Sequence, residues 1–428
     1  MIPVIIADAL KENEFFIKLS KRMNETDDKV TAAVTEILSE VRQKKDEALR
    51  YYNKKFDNYT SEKFELSKEE IKAAYDSCDS NIKRILFDAA RNINDFHQKQ
   101  KQNSWLDTKP DGSILGQRIR ALNRVGIYVP GGTAAYPSSV LMNAIPAKIA
   151  GVKELIMITP PPKDGKINEA ILAAAYIAGV DRVFLVGGAH GIAALAYGTE
   201  SIPQVDKIAG PGNIYVATAK KLVYGIVDID MVAGPSEILI IADESANPKF
   251  LAADLMSQAE HDLLASSVLL TSSEKMAEDV VDEIDKQVKD LSRKDIILNA
   301  LTDYGAIIIC KNTKQMCEFA NFLAPEHLEV CLNNPLEYIG KLDNAGSIFL
   351  GNYSPEPLGD YYAGPNHVLP TNGTSKFFSP LSVDSFIKKS SFIYYNKFSL
   401  EQSYKDIITF AEKEGLDAHA NSIKVRFE

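Results

Sequence analysis

The feature that most constrains this fold is an alternation of short apolar runs with amphipathic segments, beginning near Arg124. Several runs end in Gly or Pro, as strands do where the chain turns into a helix. The runs are RVGIYVPGG, ELIMITPPP, RVFLVGG and KIAGPGN, and then EILIIAD, SVLLTSS, GAIIIC and GSIFLG. Alternation of this kind is typical of parallel strands joined by crossover helices. Because the runs form two series, the sequence predicts an α/β protein with two doubly wound sheets.

Helical segments are predicted around these sheets. The first hundred or so residues carry charged, heptad-like stretches that indicate packing helices. The clearest later helix begins at Asn247 as N-cap, with Pro248 at the first helical position, where its missing N–H costs nothing. After Phe377 a tail carries a helix predicted from a capping box at Ser399 to a stop at Gly415. A tail of roughly 50 residues cannot bury its apolar surface alone, so it should dock on a larger body such as another subunit.

Composition excludes several classes of protein. The chain has 428 residues, of which 45% are hydrophobic and 25% charged, as in globular proteins. A net charge of −10 argues against a nucleic-acid partner, which would need a basic surface. No apolar run approaches the roughly 20 residues that span a bilayer, and the start lacks a signal-peptide pattern, so we expect a cytoplasmic protein without membrane contact. The four cysteines form no CxxC pair, which favours reduced thiols and leaves only a nitrogen and oxygen metal site open.

Glycine-rich turns are the first candidates for ligand binding. No strict GxGxxG follows a predicted strand, so the usual dinucleotide fingerprint is missing. The turns contain Gly131 and Gly132, Gly187 and Gly188, and Gly210 and Gly212. Such turns let the backbone approach a phosphate at a helix N-terminus, but they also serve simply as tight strand-to-helix connections.

Two pairs of polar residues suggest chemistry. Gln258 and His261 lie three residues apart on one predicted helix, so that an amide oxygen and an imidazole could hold one metal ion. Glu326 and His327 lie side by side in LAPEHLEV, where the carboxylate could activate water and the imidazole could exchange protons. Read alone, each pair is more often made of ordinary solvated or structural side chains than of functional ones.

Two more stretches complete the set of candidates. The segment GNYSPEPLGDYYAGPNHVLPT is dense in Gly, Pro, Asn and Tyr and contains Asp360 and His367. A long ordered loop of this kind is more often functional than merely connecting. Near the C-terminus, EGLDAHANSIKVR holds Glu414 and His419 around a helix break.

Read together, these segments resemble the histidinol dehydrogenases over nearly the whole chain. The resemblance is carried by VPGGTAAYPSSVLMNAIPAKIAGV, KIAGPGN, MVAGPSEILIIAD, ADLMSQAEHD, LAPEHLE, GNYSPEPLGDYYAGPNHVLPT and EGLDAHANSIKVR. It implies two incomplete Rossmann-like domains, a small N-terminal helical piece, a small C-terminal α+β tail and an intertwined homodimer. The expected division is an N-terminal piece 1–25, a zinc and substrate domain 26–115 with 236–376, an NAD domain 116–235, and a tail 377–428 that crosses to the partner subunit.

The resemblance also implies a metal site and a reaction. One zinc ion per subunit would be bound by Gln258, His261, Asp360 and His419, and would orient the substrate more than activate it. The reaction would oxidise L-histidinol through L-histidinal to L-histidine and consume two NAD. His327 would remove the hydroxyl proton, and Glu326 would activate the water that adds to the aldehyde.

Binding residues are implied in the same way. Substrate would contact Ser236, Gln258, His261, His327, Asp360, Glu414 and His419, with Glu414 facing the substrate ammonium. NAD would contact Tyr128, His190 and Asn213, although histidinol dehydrogenases usually have Gln where this chain has His190. The crossing tail would make Glu414 and His419 complete the site of the other subunit.

Two alternative functions remain open at this level. A related zinc-dependent NAD dehydrogenase could act on another small diol, but Glu414 would then lack an ammonium to bind. A non-catalytic zinc-binding protein would have little need for both Glu326 and His327. Manganese or cobalt could replace zinc in a site of this composition.

Overall fold

The fold is described from a computed structural model that covers residues 2–7, 11–21, 28–131, 136–162 and 167–428. Gly132, one of the predicted turn glycines, lies outside the described residues. The strands are β1 (Val4–Ile6), β2 (Glu65–Leu66), β3 (Trp105–Thr108), β4 (Ile114–Ala121), β5 (Arg124–Tyr128), β6 (Glu154–Thr159), β7 (Arg182–Leu185), β8 (Lys207–Ala209), β9 (Asp228–Ile229), β10 (Glu237–Ala242), β11 (Ser266–Thr271), β12 (Gly305–Ile309), β13 (His327–Cys331), β14 (Ser347–Leu350) and β15 (Ile387–Tyr394).

The α-helices connect these strands and cover them. They are α1 (Lys11–Lys21), α2 (Asp28–Lys44), α3 (Asp46–Asp57), α4 (Lys68–Ser77), α5 (Ser80–Gln98), α6 (Pro137–Ala150), α7 (Glu169–Ile177), α8 (Gly188–Tyr197), α9 (Ile214–Val223), α10 (Pro248–Ala259), α11 (Glu274–Gln287), α12 (Lys294–Tyr304), α13 (Thr313–Leu323), α14 (Glu356–Tyr361), α15 (Lys397–Glu401), α16 (Tyr404–Lys413) and α17 (Asp417–Lys424). Within the described ranges, no helix is long and apolar enough to cross a membrane.

The second series of apolar runs forms a parallel sheet, here called sheet A, with the strand order β1-β12-β11-β10-β13-β14. Its central strands β10 and β11 are buried along their full length, as strands covered on both faces are. Ile238 and Ile240 pack on one face with α10, α11 and α12. Leu239 and Ile241 pack on the other face with α1 and α13. The predicted helices on both faces are thus present. The strand β1 lies within the N-terminal piece 1–25, which was predicted to be helical.

The first series of apolar runs forms sheet B, with the order β2-β7-β6-β5-β8-β9. All its pairings are parallel except that of β2 with β7. From β5 to β9 and from β10 to β14, the two sheets follow the same order of connection. In β5, Gly126 has no space for a side chain, because a Cβ atom there would lie 2.6 Å from Leu195 Cδ1 on α8. The absence of that atom lets α8 pack directly on the sheet.

The helices before residue 100 pack differently from the prediction. Val34 of α2 and Leu49 of α3 join the apolar cluster that includes α8 and α9. Ile71 of α4 and Ile93 of α5 join the cluster on the other face of sheet B, with α6 and α7. The predicted domain of residues 26–115 with 236–376 instead combines these helices with residues that contribute to sheet A. Periodicity identifies the buried face of a helix but not the sheet that covers it, which explains the difference.

A separate compact unit consists of Lys101–Ala121 and Ile387–Glu428. In it, β15 pairs antiparallel with β4, and β4 pairs antiparallel with β3. The predicted helix stop at Gly415 is confirmed by a φ of 73°. The predicted capping box at Ser399 is wrong, because the Asn396 side chain caps α15 by accepting the Ser399 N–H at 2.8 Å, and α16 begins only at Tyr404.

Candidate active site

The candidate catalytic residues Glu326 and His327 lie at the amino end of β13, next to the amino end of the neighbouring strand β10 in sheet A. His327 is the first residue of β13 and Glu237 is the first residue of β10. The two strands are parallel, and His327 pairs with Ile238. Glu326 and Ser236 immediately precede the two strands. Open parallel sheets ordinarily bind ligands at their carboxyl ends, so this location does not follow from the strand pattern.

The backbone of β10 fixes the His327 imidazole. Its Nδ1 lies 2.9 Å from the carbonyl oxygen of Glu237, which can only accept, so Nδ1 carries the proton and Nε2 the lone pair. Nε2 is buried and has no hydrogen-bond partner among the described residues. Carboxylate oxygens of Glu356 and Asp360 each lie 3.9 Å from it. Burial lowers the pKa of His327, so the ring is neutral near pH 7 and presents a basic nitrogen.

The same stretch of backbone holds the Glu326 carboxylate. Its Oε2 accepts the N–H of Glu237 at 2.9 Å and lies 3.6 Å from Nδ1 of His327. One peptide segment therefore positions two neighbours, since the Glu237 N–H binds the carboxylate and the Glu237 carbonyl orients the imidazole. Both side chains are buried in the chain. An adjacent carboxylate and imidazole held in this way can share the work of proton transfer.

Helix α14 brings two more carboxyl groups to His327. Glu356 and Asp360 are one helical turn apart, and their side chains are hydrogen-bonded to each other. Burial raises the pKa of Glu356 to about 10, with Asp360 as the next cause, so Glu356 is protonated at neutral pH and donates to Asp360. Ligand atoms of His327, Glu356 and Asp360 all lie within 4.8 Å of one another, a spacing that suits a metal ion.

His367 lies on the outer side of this group. Its Nδ1 is 3.0 Å from the backbone carbonyl of Asp360 and 3.8 Å from the Asp360 carboxylate. Its Nε2 lies 3.4 Å from the Ser139 hydroxyl on α6. Burial lowers the pKa of His367. The contacts agree with a residue that orders the loop around Asp360.

Helix α10 carries the other predicted metal ligands of this part of the chain. Asn247 and Pro248 begin the helix as predicted. Gln258 lies near the end of the helix, and the whole residue is 1% exposed. Gln258 Oε1 is buried without a hydrogen-bond partner in the described ranges. A buried amide oxygen left unpaired is costly, so it fits the position of a metal ligand.

His261 differs from its predicted position on α10. The helix ends at Ala259, so His261 lies beyond it, where its N–H donates to the Gln258 carbonyl at 3.2 Å in a turn. Its side chain is exposed. Its charge is among the causes that lower the pKa of both His327 and His367, so it lies near the two rings. The turn, rather than a shared helical face, brings His261 towards the site.

Two further predicted binding residues are Glu414, for the substrate, and His419, for the substrate and the metal. Both belong to the separate unit of Lys101–Ala121 and Ile387–Glu428. Glu414 follows the last residue of α16, and His419 lies on α17. Both residues are exposed. Their side chains are thus not buried within the fold of their own unit.

A pair of carboxyl groups not predicted from the sequence lies close by, with Glu329 buried and Asp254 half-buried. Glu329 lies two residues beyond His327 on the same face of β13, and its Oε1 accepts the Glu356 N–H at 2.8 Å. Asp254 on α10 is hydrogen-bonded to Glu329. Burial raises the pKa of Asp254 to about 6 and that of Glu329 well above its ordinary value. The pair joins α10 to β13 and, through the Glu356 N–H, to α14.

Some of these residues leave a signal in the sequence. Glu329 is a charged residue inside an apolar run, HLEVC, that forms a fully buried strand. Glu356 precedes Asp360 by four residues in EPLGD, the spacing of one helical turn. Both signals could have identified buried carboxyl groups, although neither indicates their partners.

Replacing Asp254 with asparagine is expected to change the pH dependence of stability. A group whose pKa is higher in the folded protein stabilises the fold while protonated, and this contribution is lost as the pH rises through the folded pKa. For Asp254 the loss runs from its ordinary pKa of 3.8 up to about 6. Asparagine stays neutral and can donate to Glu329 throughout, so the variant should gain stability relative to the original chain over this range.

Urea unfolding of the metal-free protein across this pH range measures the effect, because a bound cation would itself shift nearby titrations. If the free energies of unfolding of the two proteins ran parallel with pH, the raised pKa of Asp254 would be incorrect.

The predicted NAD contacts lie at the carboxyl ends of sheet B. Tyr128 is the last residue of β5, and the Gly188 N–H donates to its side chain, whose pKa is raised by burial to about 12. Asn213 is the N-cap of α9, where its side chain accepts the N–H groups of Tyr215 and Val216. Tyr128 is buried and Asn213 is exposed.

His190, in the first turn of α8, is buried against α3. Its Nε2 lies 2.9 Å from Asn53 Oδ1, and its ring stacks on that of Tyr52 with 5.7 Å between centroids. Burial lowers the pKa of His190 to about 3, so the ring is neutral. His190 therefore offers no positive charge to a phosphate, and a contact with NAD at this position stays a prediction.

Two largely parallel sheets covered by helices, with a buried imidazole beside carboxyl groups spaced as metal ligands are, have the features of an α/β enzyme that transfers protons. Comparison with known proteins specifies the enzyme further. The family model for histidinol dehydrogenase matches residues 20–427, and the chain belongs to this family. The predicted function as a histidinol dehydrogenase, an oxidoreductase, is therefore confirmed, and the family is one that uses NAD and a metal in histidine biosynthesis.

Individual relatives support the assignment along the full length. The histidinol dehydrogenase of Clostridium acetobutylicum is 56% identical over 428 residues, which are 100% of this chain and 99% of that protein. The histidinol dehydrogenase of Listeria monocytogenes serovar 1/2a is 57% identical over 399 residues, 93% of each chain. The crystal structure of histidinol dehydrogenase from Elizabethkingia anophelis is 39% identical, with a TM-score of 0.93 over 99% of this chain and 98% of that one.

Proposed function

We propose that this chain oxidises L-histidinol through L-histidinal to L-histidine, with two hydride transfers to two molecules of NAD. The observation that carries the proposal is the His327 imidazole, whose Nδ1 is fixed by the Glu237 carbonyl and whose buried Nε2 lies 3.9 Å from Asp360. A neutral imidazole with an available lone pair suits a general base near neutral pH. NAD supplies the hydride acceptor when it is bound.

In the first step, His327 would take the hydroxyl proton of the substrate on Nε2. The ring becomes positively charged as it does so. The Asp360 carboxylate and the Glu237 carbonyl both favour the protonated ring, and they act against the burial that otherwise disfavours it. This balance supports a base that is neutral at rest and can still hold a proton during the reaction.

In the second step, Glu326 would activate the water that adds to the aldehyde. The Glu237 N–H fixes Oε2 of the carboxylate at 2.9 Å, close to the ring of His327. A carboxylate positioned in this way can act as a general base and remove a proton from water. The second hydride would then leave the hydrated aldehyde, and the acid would be the product.

Glu326→Gln should mainly slow the oxidation of histidinal, by about 10²-fold or more, the usual contribution of a general base. Glutamine can keep an acceptor for the Glu237 N–H but cannot take a proton from water. Rapid-mixing measurement of NADH formed from histidinol and from histidinal separates the two steps. Oxidation of histidinal at the normal rate would remove Glu326 from this role.

One zinc ion per subunit is proposed to be held by Gln258, His261, Asp360 and His419. The unpaired Gln258 Oε1 and the Asp360 carboxylate beside protonated Glu356 support a site built for a cation. A mixed oxygen and nitrogen set also suits manganese or cobalt, so the bound metal is to be identified by elemental analysis. When bound, the ion supplies an anchor for the imidazole and amino nitrogens of the substrate.

NAD is proposed to bind at the carboxyl ends of β5 and β8, in contact with Tyr128, His190 and Asn213. Connections from β5 lead through β6 and β7 to one side, and β8 and β9 lie on the other side. The reversal falls between β5 and β8, which is where open α/β sheets bind ligands. The same order in both sheets supports the proposed Rossmann-like character of the two domains.

The remaining substrate contacts are proposed for Ser236 and Glu414. Ser236 precedes β10 at the same edge as His327, and its carbonyl accepts the Ser266 N–H at 3.0 Å. Glu414 offers an exposed carboxylate that can pair with the substrate ammonium. We propose that Glu414 comes from the partner subunit.

A homodimer with exchanged tails would complete each site. The exposed apolar side chains Ile393 and Phe410, at 73% and 70%, support docking of the C-terminal segment on a partner. A mixture of His327→Asn and His419→Asn chains tests the exchange, because each mixed dimer would regain one intact site. Random mixing should restore about a quarter of the normal activity. Recovery of no activity from mixed dimers would exclude crossing tails.

The overall proposal is tested by counting NADH. Purified protein supplied with L-histidinol and NAD should form two NADH for each histidine, and a chelator should abolish the reaction. Formation of one NADH, or tight metal binding without NADH, would contradict it. The expected domain limits and the cytoplasmic location stay predictions. We propose one change to the limits, in which residues 28–98 belong with the NAD domain, and their packing on sheet B supports this change.

A further inference from the structure

We propose that a buried ion pair, Lys220 with Asp230, positions the turn 210–213 for NAD binding. The inference rests on the proposed NAD site at the carboxyl ends of β5 and β8. Lys220 lies on α9 and Asp230 directly follows β9. Neither residue belongs to the residues implied by the family resemblance, and both lie beneath the turn that leads from β8 to Asn213.

The pair is completely enclosed and binds one residue, Gly210, through both of its backbone polar groups. The side chains of Lys220 and Asp230 are 2% and 1% exposed, and the Lys220 Nζ contacts the Asp230 carboxylate. Nζ also donates to the Gly210 carbonyl at 2.9 Å. The Gly210 N–H in turn donates to Asp230 Oδ2 at 2.8 Å. Both backbone polar groups of Gly210 are thus bound by the two charged side chains.

Gly210 is the residue at which the turn is most constrained. Its φ is +113°, and a Cβ atom there would lie 2.2 Å from the Tyr128 carbonyl oxygen. The turn therefore passes directly over the end of β5. Three residues later, Asn213 begins α9 by accepting the N–H of Tyr215 at 3.1 Å. A shift of Gly210 would move the turn relative to both Tyr128 and Asn213, the residues proposed to contact NAD.

The use of charges at this position suggests a positional role. A buried ion pair is often no more stabilising than apolar side chains of similar volume, whereas removal of one partner leaves an uncompensated charge. Apolar replacements would fill the space but could not bind the N–H and carbonyl of Gly210. The pair therefore selects one conformation of the turn rather than simply adding stability. Lys220 and Asp230 are positioning residues, since NAD would not touch them.

The experiment uses a double variant that separates position from stability. Lys220→Met with Asp230→Leu removes both charges, and this double variant should fold. Either single change leaves a buried unpaired charge, so the single variants measure the loss of stability that such a charge causes. NADH affinity, measured by fluorescence titration, should weaken at least about tenfold in the double variant, with a matching rise in KM for NAD. The KM for histidinol and the kcat at saturating NAD should stay within about twofold.

A second lysine and aspartate pair, at the amino ends of β8 and β9, serves as the control. Lys207 of β8 and Asp228 of β9 form a pair at 2.8 Å, and Lys207 Nζ also donates to the Ser385 carbonyl at 2.6 Å. Lys207→Met with Asp228→Leu should leave NADH affinity unchanged, because Lys207 binds Asp228 and the Ser385 carbonyl and neither backbone group of Gly210. Equal weakening by both double variants would show a general loss of fold and overturn the positional role.

Asn213→Ala distinguishes failure of this inference from failure of the proposed NAD site. Weakened NADH binding in Asn213→Ala together with normal binding in the Lys220 and Asp230 double variant would overturn the positioning role alone. Normal NADH binding in both variants would overturn the NAD site itself. If the double variant does not fold, proton exchange of the Gly210 amide in Asp230→Asn provides the second readout, and an unchanged exchange rate would overturn the inference.

Discussion

His327→Asn is expected to lower kcat by about 10²- to 10⁴-fold, the usual contribution of a general base. The asparagine amide can still donate to the Glu237 carbonyl, but it cannot take a proton from the substrate near neutral pH. The effect should fall on kcat and not on substrate affinity, because the change removes a proton acceptor and little contact area. Steady-state kinetics with saturating histidinol and NAD measures it.

The pH profile provides an independent check on the same variant. A base is inactive when protonated, so activity should fall on the acid side, and burial places the pKa of His327 below its ordinary value of 6.5. This acid limb should disappear in His327→Asn. A variant with near-normal kcat would show that another group is the base. Loss of the metal together with activity would instead favour His327 as a ligand, as its spacing with Glu356 and Asp360 allows.

His261→Asn should remove the metal and abolish turnover. The expected loss of metal affinity exceeds the 10- to 100-fold ordinarily caused by loss of an outer hydrogen-bond partner, because a direct ligand is removed. Metal content after dialysis measures the affinity. Thermal unfolding gives a second measure, since a ligand that binds only the folded chain raises the unfolding temperature with its concentration. The variant should lose most of this response to zinc.

Glu260→Gln is a matched control for His261→Asn. It removes a charge from the neighbouring residue, which follows the last residue of α10, and leaves every proposed ligand unchanged. Its metal content and turnover should be normal. If both variants lost the metal equally, the turn at the end of α10 would matter for the site, and His261 would not be identified as a ligand.

The strands and their burial could be predicted from local patterns. The runs EILIIAD and SVLLTSS correspond to β10 (Glu237–Ala242) and β11 (Ser266–Thr271), because strands covered on both faces consist of continuous apolar residues. The start of α10 at Asn247 and Pro248 was equally predictable, since N-capping depends only on neighbouring residues. Such features need no knowledge of distant partners.

The errors have a common physical cause. The sheet that covers α2 to α5 depends on contacts with residues far away in the chain, and heptad-like stretches are the same whichever sheet they face. The capping of α15 by Asn396 competes with the capping box predicted at Ser399, whose hydroxyl binds the carbonyl of Asp111 instead, at 2.7 Å. Distant contacts therefore override a valid local signal.

The sequence by itself determined the kinds of elements, the residues that can do chemistry and, through the family, the reaction. Tertiary structure alone decided which nitrogen of His327 is basic, because the carbonyl that fixes it belongs to Glu237, 90 residues earlier. It also decided that the carboxyl groups of Glu356, Glu329 and Asp254 lie next to one another near His327, with raised pKa values. The physical reason is that sequence patterns record burial and local hydrogen bonding, whereas protonation depends on groups that only folding brings together.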